Sequence, residues 1–171
     1  MMRTVLVLSA AAALGLGLPT TASAAGANPF AVGSGDNTFV GTGGPVHLTV
    51  SAQGTGADVT GDVESQGNLG IGEFRQGGPA TCLLVRGNKA AIKYRVDHAE
   101  GPGAPPLGTV VEVFLEDNGP PGNGVPDANA TRAPEFPPVS NFDAGNCDDP
   151  TTQLEWNPID SGNYVVNDSG Q

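Results

Sequence analysis

Glycine and proline punctuate this chain so densely that the pattern argues against a helical fold before any motif is read. There are 26 Gly and 15 Pro among 171 residues, and few segments offer the run of about ten or twelve residues that a helix wants. Between the interruptions Val, Ile, Leu and Phe recur in short runs, which a disordered chain would lack. Many strands joined by Gly/Pro turns are the expectation.

Val46 to Ala52 alternates strictly, with Val46, Leu48, Val50 and Ala52 on one face of a half-buried strand. Asp58 to Glu64 is a second candidate, and Gly70 to Arg75 a weaker one. Thr81 to Val96 reads as a hairpin about Gly87-Asn88, since Gly accepts positive φ freely and Asn tolerates it. In its second arm Ala90, Ile92, Tyr94 and Val96 share one face, which puts Lys93 and Arg95 on the wet side. Thr109 to Glu116, TVVEVFLE, is the strongest strand, and SGNYVVND (161–168) closes the chain. The predicted fold class is all-β: an antiparallel sandwich or open barrel of about six to eight strands with long Gly/Pro-rich loops.

The N-terminus carries Arg3, an apolar run from Val5 to Leu18, and the small-x-small pattern Ala22-Ser23-Ala24. That is the layout of a secretory signal peptide spanning 1–24. The run is shorter than the roughly 20 residues a membrane span needs. A Gly/Ala/Asn-rich flexible arm over 25–38 and a single β domain over 39–171 are expected to follow. The product is expected to be secreted and extracellular, with no membrane contact.

Composition narrows the partners. The formal charge is −11, and nucleic acid is excluded as a partner because phosphate recognition relies on Lys and Arg. From Asp97 onward thirteen acidic residues face Arg132 alone. The two cysteines, Cys82 and Cys147, most simply pair with each other in an exported chain. Nothing beside either one suggests a catalytic thiol.

Taken in order, TCLLVRGNKAAI, LEDNGPPGNGVPD, a lone second cysteine and a final GNYVVND resemble a family of small secreted, mostly actinobacterial β-rich proteins and modules. The matching positions are Cys82, Val85, Gly87, Asn88, Lys89 and Ala90, then Asp117, Asn118 and Gly119, then Cys147, Gly162, Asn163, Val165, Val166 and Asp168. The resemblance spans roughly 39–168. It implies an extracellular β fold with one disulfide. It brings no established activity, so it assigns no catalytic residue.

Two ligand chemistries deserve residues. Asp117, Asn118 and Asp127, with Glu116 and Asn123 nearby, offer the oxygens that calcium wants, although their spacing is not that of an EF-hand. The competing reading is a turn that Asp117-Asn118-Gly119 caps with its own side chains. Trp156, in a segment expected to be irregular, is the candidate platform for a carbohydrate ring; the competing reading is that this sole Trp fills the core or covers the disulfide. His47 and His98 are isolated and read as surface residues. No Gly-x-Ser-x-Gly elbow occurs, and six Phe, two Tyr and one Trp leave few aromatics for a glycosidase cleft. The expected function is a non-catalytic structural or interaction module with an extracellular or cell-wall partner. A calcium- or carbohydrate-binding domain is the alternative, and a secreted hydrolase the third reading.

Overall fold

The computed structural model describes residues 28–38, 44–68, 70–132, 143–153 and 155–168. The expected leader, 1–24, lies outside these residues.

The described chain is all-β. In order it forms β1 (Phe30–Thr38), β2 (Pro45–Thr55), β3 (Asp58–Asn68), β4 (Glu73–Arg86), β5 (Lys89–Arg95), β6 (His98–Glu100), β7 (Val110–Glu116), β8 (Ala128–Arg132), β9 (Asn157–Pro158) and β10 (Ser161–Asn167). All ten belong to one antiparallel sheet in the order β10-β1-β2-β3-β4-β5-β7-β8-β9, with β6 beside β4. The sheet curls around its own apolar face, so it is the open barrel of the two expected architectures. No described helix is long and apolar enough to cross a membrane.

The alternation that marked β2 holds residue by residue: Val46, Leu48, Val50 and Ala52 are all buried. They join Val63, Leu83, Ile92, Tyr94, Val113, Leu115 and Tyr164 in one interior cluster. At the hairpin turn Gly87 takes φ 60° while Asn88 keeps a negative φ, the signature of a turn with Gly first.

The strand count exceeds the expectation although two candidates merge into one, since β4 runs unbroken through Gln76-Gly77-Gly78-Pro79. Pro79 is tolerated just before a register shift at Ala80–Cys82, where β4 exchanges β6 for β5 as its partner. The excess comes from β1 and from the short strands β6, β8 and β9, and β1 is a correction. Residues 30–38 are not a loose arm; they form β1, paired to β2 on one side and β10 on the other. Their small side chains hid the alternation, which Ala31, Gly35 and Asn37 carry on the buried face.

Among the described residues no strand pairing closes the gap between β10 and the β7–β8 side, and polar side chains span it instead. Inside the barrel Asn37 Nδ2 donates to Asn129 Oδ1 at 2.9 Å, and Asn129 Nδ2 donates to the Tyr164 hydroxyl at 3.0 Å. This chain links β1, β8 and β10. Burial pushes the Tyr164 hydroxyl pKa up to about 12.

Candidate functional site

The expected calcium ligands stand at that seam, and their oxygens face amide hydrogens. Asp117 Oδ1 accepts Gly119 N–H at 2.8 Å and Oδ2 accepts Val166 N–H at 3.0 Å. Asp127 Oδ1 accepts Asn118 N–H at 2.8 Å and Oδ2 accepts Tyr164 N–H at 2.7 Å. Asn118 turns its side-chain amide to the Pro126 carbonyl at 2.9 Å. Both carboxylates thus cap donors that β10 and the β7–β8 loop would otherwise leave unpaired. A carboxylate aimed at N–H groups offers its charge to them rather than to a cation. Among the described residues no cluster of three or more His, Cys, Asp or Glu is arranged to hold a metal. Adding calcium or a chelator is therefore expected to leave the Tm unchanged in differential scanning fluorimetry. A rise with calcium reversed by chelation would restore the ion reading.

The turns that carry the family resemblance meet at this seam. Asn88 Nδ2 donates to the Asp117 carbonyl at 2.8 Å, and Asp117 N–H donates back to the Asn88 carbonyl at 2.9 Å. Gly87 N–H donates to Asp168 Oδ2 at 3.1 Å. Hairpin turn, Asp-Asn-Gly turn and terminal strand are thus one hydrogen-bonded unit. Sequence separation concealed it.

A second set of residues covers the outer face of β5, β7 and β8. Cys82 and Cys147 are joined, with Cα atoms 5.7 Å apart. Around them pack Ala91, Phe114 and Ala130, with Leu84 and Trp156 partly buried against them. Lys93, expected on the wet side, is instead buried beneath the segment that holds Cys147. Its Nζ donates to the Asn146 carbonyl at 2.5 Å and the Asp143 carbonyl at 3.3 Å, and lies 3.9 Å from Glu112 and 3.8 Å from Asp148. Glu112 is fully buried and accepts Asp148 N–H at 2.8 Å. Burial raises its carboxyl pKa, against the opposing pull of that N–H and of Lys93. The group clamps a loop that has little apolar surface of its own.

Trp156 belongs to this cover. Its indole N–H donates to the Gln153 carbonyl at 3.1 Å, and Lys89 Nζ stands 4.7 Å from the ring centroid. These are contacts of a side chain laid over the disulfide.

A hollow lies elsewhere, on the outer face of the β1–β2–β3–β4–β6 half of the sheet. It is a groove of about 780 Å³, and Asp36, His47, Gln66, Arg75 and Glu100 line it. Register explains their meeting. Asp36 opposes His47, His47 opposes Gln66, Gln66 opposes Arg75 and Arg75 opposes Glu100. They therefore form one row across five neighbouring strands. Asp36 Oδ1 lies 2.7 Å from His47 Nδ1, and Oδ2 accepts the Ser161 hydroxyl at 2.8 Å. Those two partners, Ser161 foremost, hold the Asp36 carboxyl below its ordinary range.

The adjoining row is also charged. His98 Nε2 lies 2.8 Å from Glu64 Oε1, and Nδ1 lies 2.6 Å from Asp97. The pair of carboxylates, Glu64 first, raises the His98 pKa. Gly77 stands between Glu64 and His98 in the register. A Cβ there would lie 2.6 Å from the Val63 carbonyl and 2.8 Å from Glu64 Cδ, so only Gly leaves room for the pair. Glu64 also lies 3.5 Å from Arg75 Nε. Gln66, Glu73 and Glu100 have no side-chain hydrogen bond or ion pair among the described residues.

Of the residues singled out from sequence, the structure brings Asp117, Asn118 and Asp127 together at the seam and places Trp156 at the disulfide, away from both seam and groove. The groove residues escaped notice because each is an ordinary outward position on an alternating strand. Only the register between neighbouring strands aligns them. No family model, curated protein or solved structure matches this chain.

Proposed function

We propose that this chain is an exported, non-catalytic interaction module that holds a partner in the groove on its outer sheet face. The observation that carries the reading is the row Asp36–His47–Gln66–Arg75–Glu100, fixed by register on a sheet whose seam and loops are tied down. The leader-like N-terminus and the Cys82–Cys147 bond support work outside the cell.

One chain of contacts invites a catalytic reading. Thr49 Oγ1 lies 3.2 Å from His47 Nε2, whose other nitrogen meets Asp36. That is the order of nucleophile, base and orienter. An acyl-transfer site also needs donors for the oxyanion. β2 is paired on both sides, which occupies its backbone, and Glu64 stands directly opposite Thr49. A carboxylate there opposes a developing negative charge. The contacts therefore serve to order the groove wall.

The test is retention on washed actinobacterial cell walls, the kind of surface a secreted module of this description would meet. The Gln66→Ala, Arg75→Ala double variant is expected to sediment with walls about ten-fold less than the parent, with its Tm within about two degrees. Equal sedimentation of the two proteins, or no sedimentation of either, would remove the groove reading.

A further inference from the structure

We infer that the groove binds a linear, uncharged oligosaccharide laid across the strands. This rests on the module reading and names the chemistry of its partner.

Strands in a sheet lie about 4.8 Å apart, so the four steps from β1 to β6 give a row roughly 19 Å long. At one end Asp36 and His47 are bonded to each other and to Ser161 and Thr49, which fixes them as a wall. Along the rest Gln66 both donates and accepts, Arg75 donates, and Glu73 and Glu100 accept. Sugar hydroxyls donate and accept at once, and vicinal pairs suit planar, two-toothed groups such as carboxylate, amide and guanidinium. A chain of rings is therefore matched by a row of such groups on a rigid sheet.

Other ligand classes fit worse. Phosphates and acidic glycans would face Asp36, Glu73 and Glu100 against Arg75 as the groove's one Arg or Lys. An apolar ligand would find only buried Phe74 and the ring of Pro45. A peptide added as an extra strand needs an open sheet edge; β2, β3 and β4 are paired on both sides, and β6, paired to β4 alone, offers an edge of only three residues. Gln66, Glu73 and Glu100, uncommitted among the described residues, are the groups left to meet hydroxyls.

Isothermal titration calorimetry of the mature, oxidised protein tests this with cellohexaose, mannohexaose and chitohexaose, their disaccharides, and oligolysine. At least one hexasaccharide is expected to bind, about ten-fold or more tighter than its disaccharide because the row engages several rings. Gln66→Ala and Glu100→Gln should each weaken it about five- to ten-fold, while Trp156→Ala leaves it unchanged. Any of four results overturns the inference. These are no sugar binding, equal affinity for disaccharide and hexasaccharide, loss in Trp156→Ala but not Gln66→Ala, or binding of oligolysine alone. If sugars fail while wall retention still depends on Gln66 and Arg75, the module reading survives with a different partner. If both fail, that reading falls too.

Discussion

Asp127→Asn is expected to lower the unfolding free energy by about 3 kcal/mol, although it exchanges a single oxygen for a nitrogen. Asp127 is buried, and each of its oxygens accepts a backbone N–H, from Asn118 and from Tyr164. An amide has one acceptor, so its NH₂ group would confront one of the two donors. Hydrogen bonds to a charged group contribute about 1.5–3 kcal/mol, and a buried donor left unsatisfied costs a further 1–3 kcal/mol. The damage should be specific as well as large. Tyr164 sits on β10, which no strand pairing among the described residues joins to the β7–β8 side. Urea unfolding followed by far-UV circular dichroism gives the magnitude, and hydrogen exchange gives the place: the Tyr164 and Val166 amides should lose protection before those of β3 and β4. A loss below about 1 kcal/mol, the value of one ordinary hydrogen bond, would mean that the seam is not held by this carboxylate.

Replacing both cysteines, Cys82→Ser with Cys147→Ser, is expected to cost roughly 4 kcal/mol in the chain-entropy description. The bond closes a loop with a sequence separation of 65. The route of the loss should be local first. The interior cluster and the disulfide-centred cluster are separate bodies of apolar contact, one on each face of the β5–β7 sheet region. Without the bond, the 143–152 segment is held by Lys93, Glu112 and the ion pair of Arg132 with Asp148. Trp156 is the sole tryptophan and belongs to the outer cluster, so its fluorescence reports that segment alone. In the double variant its emission should shift red at lower urea than the far-UV signal of the barrel. Coincident transitions at unchanged urea midpoint would show that the bond ties down nothing that the other contacts do not.

Much of the fold was legible because its signals are local. The alternation of β2, the Gly87-Asn88 turn and the apolar run of β7 each lie within a few consecutive residues. β1 was missed for a physical reason. Its buried face carries only Ala31, Gly35 and Asn37, so no apolar alternation announces a strand, and β2 and β10 supply the pairing that makes it one. Lys93 was misplaced for the opposite reason. Its alternation was read correctly, yet a loop fifty residues later covers the face to which it points.

The site divides the same way. Asp117, Asn118 and Asp127 stood out as oxygen-rich, and residue type alone leaves a cation or a donor as partner for such oxygens. The fold supplies donors, by bringing the amides of Tyr164 and Val166 to Asp127 and Asp117. The groove was invisible in sequence because Asp36, His47, Gln66, Arg75 and Glu100 are spread over 65 positions.

The residues by themselves determined that this chain is a β protein, where its clearest turns fall and which two sulfurs pair, since dihedral preference, alternation and cysteine count are properties of short segments or of composition. Tertiary structure alone decided how the sheet closes, which carboxylates are consumed in closing it and which polar groups line up outside. Those outcomes depend on register between paired strands, where a slip of one residue would turn every side chain to the other face.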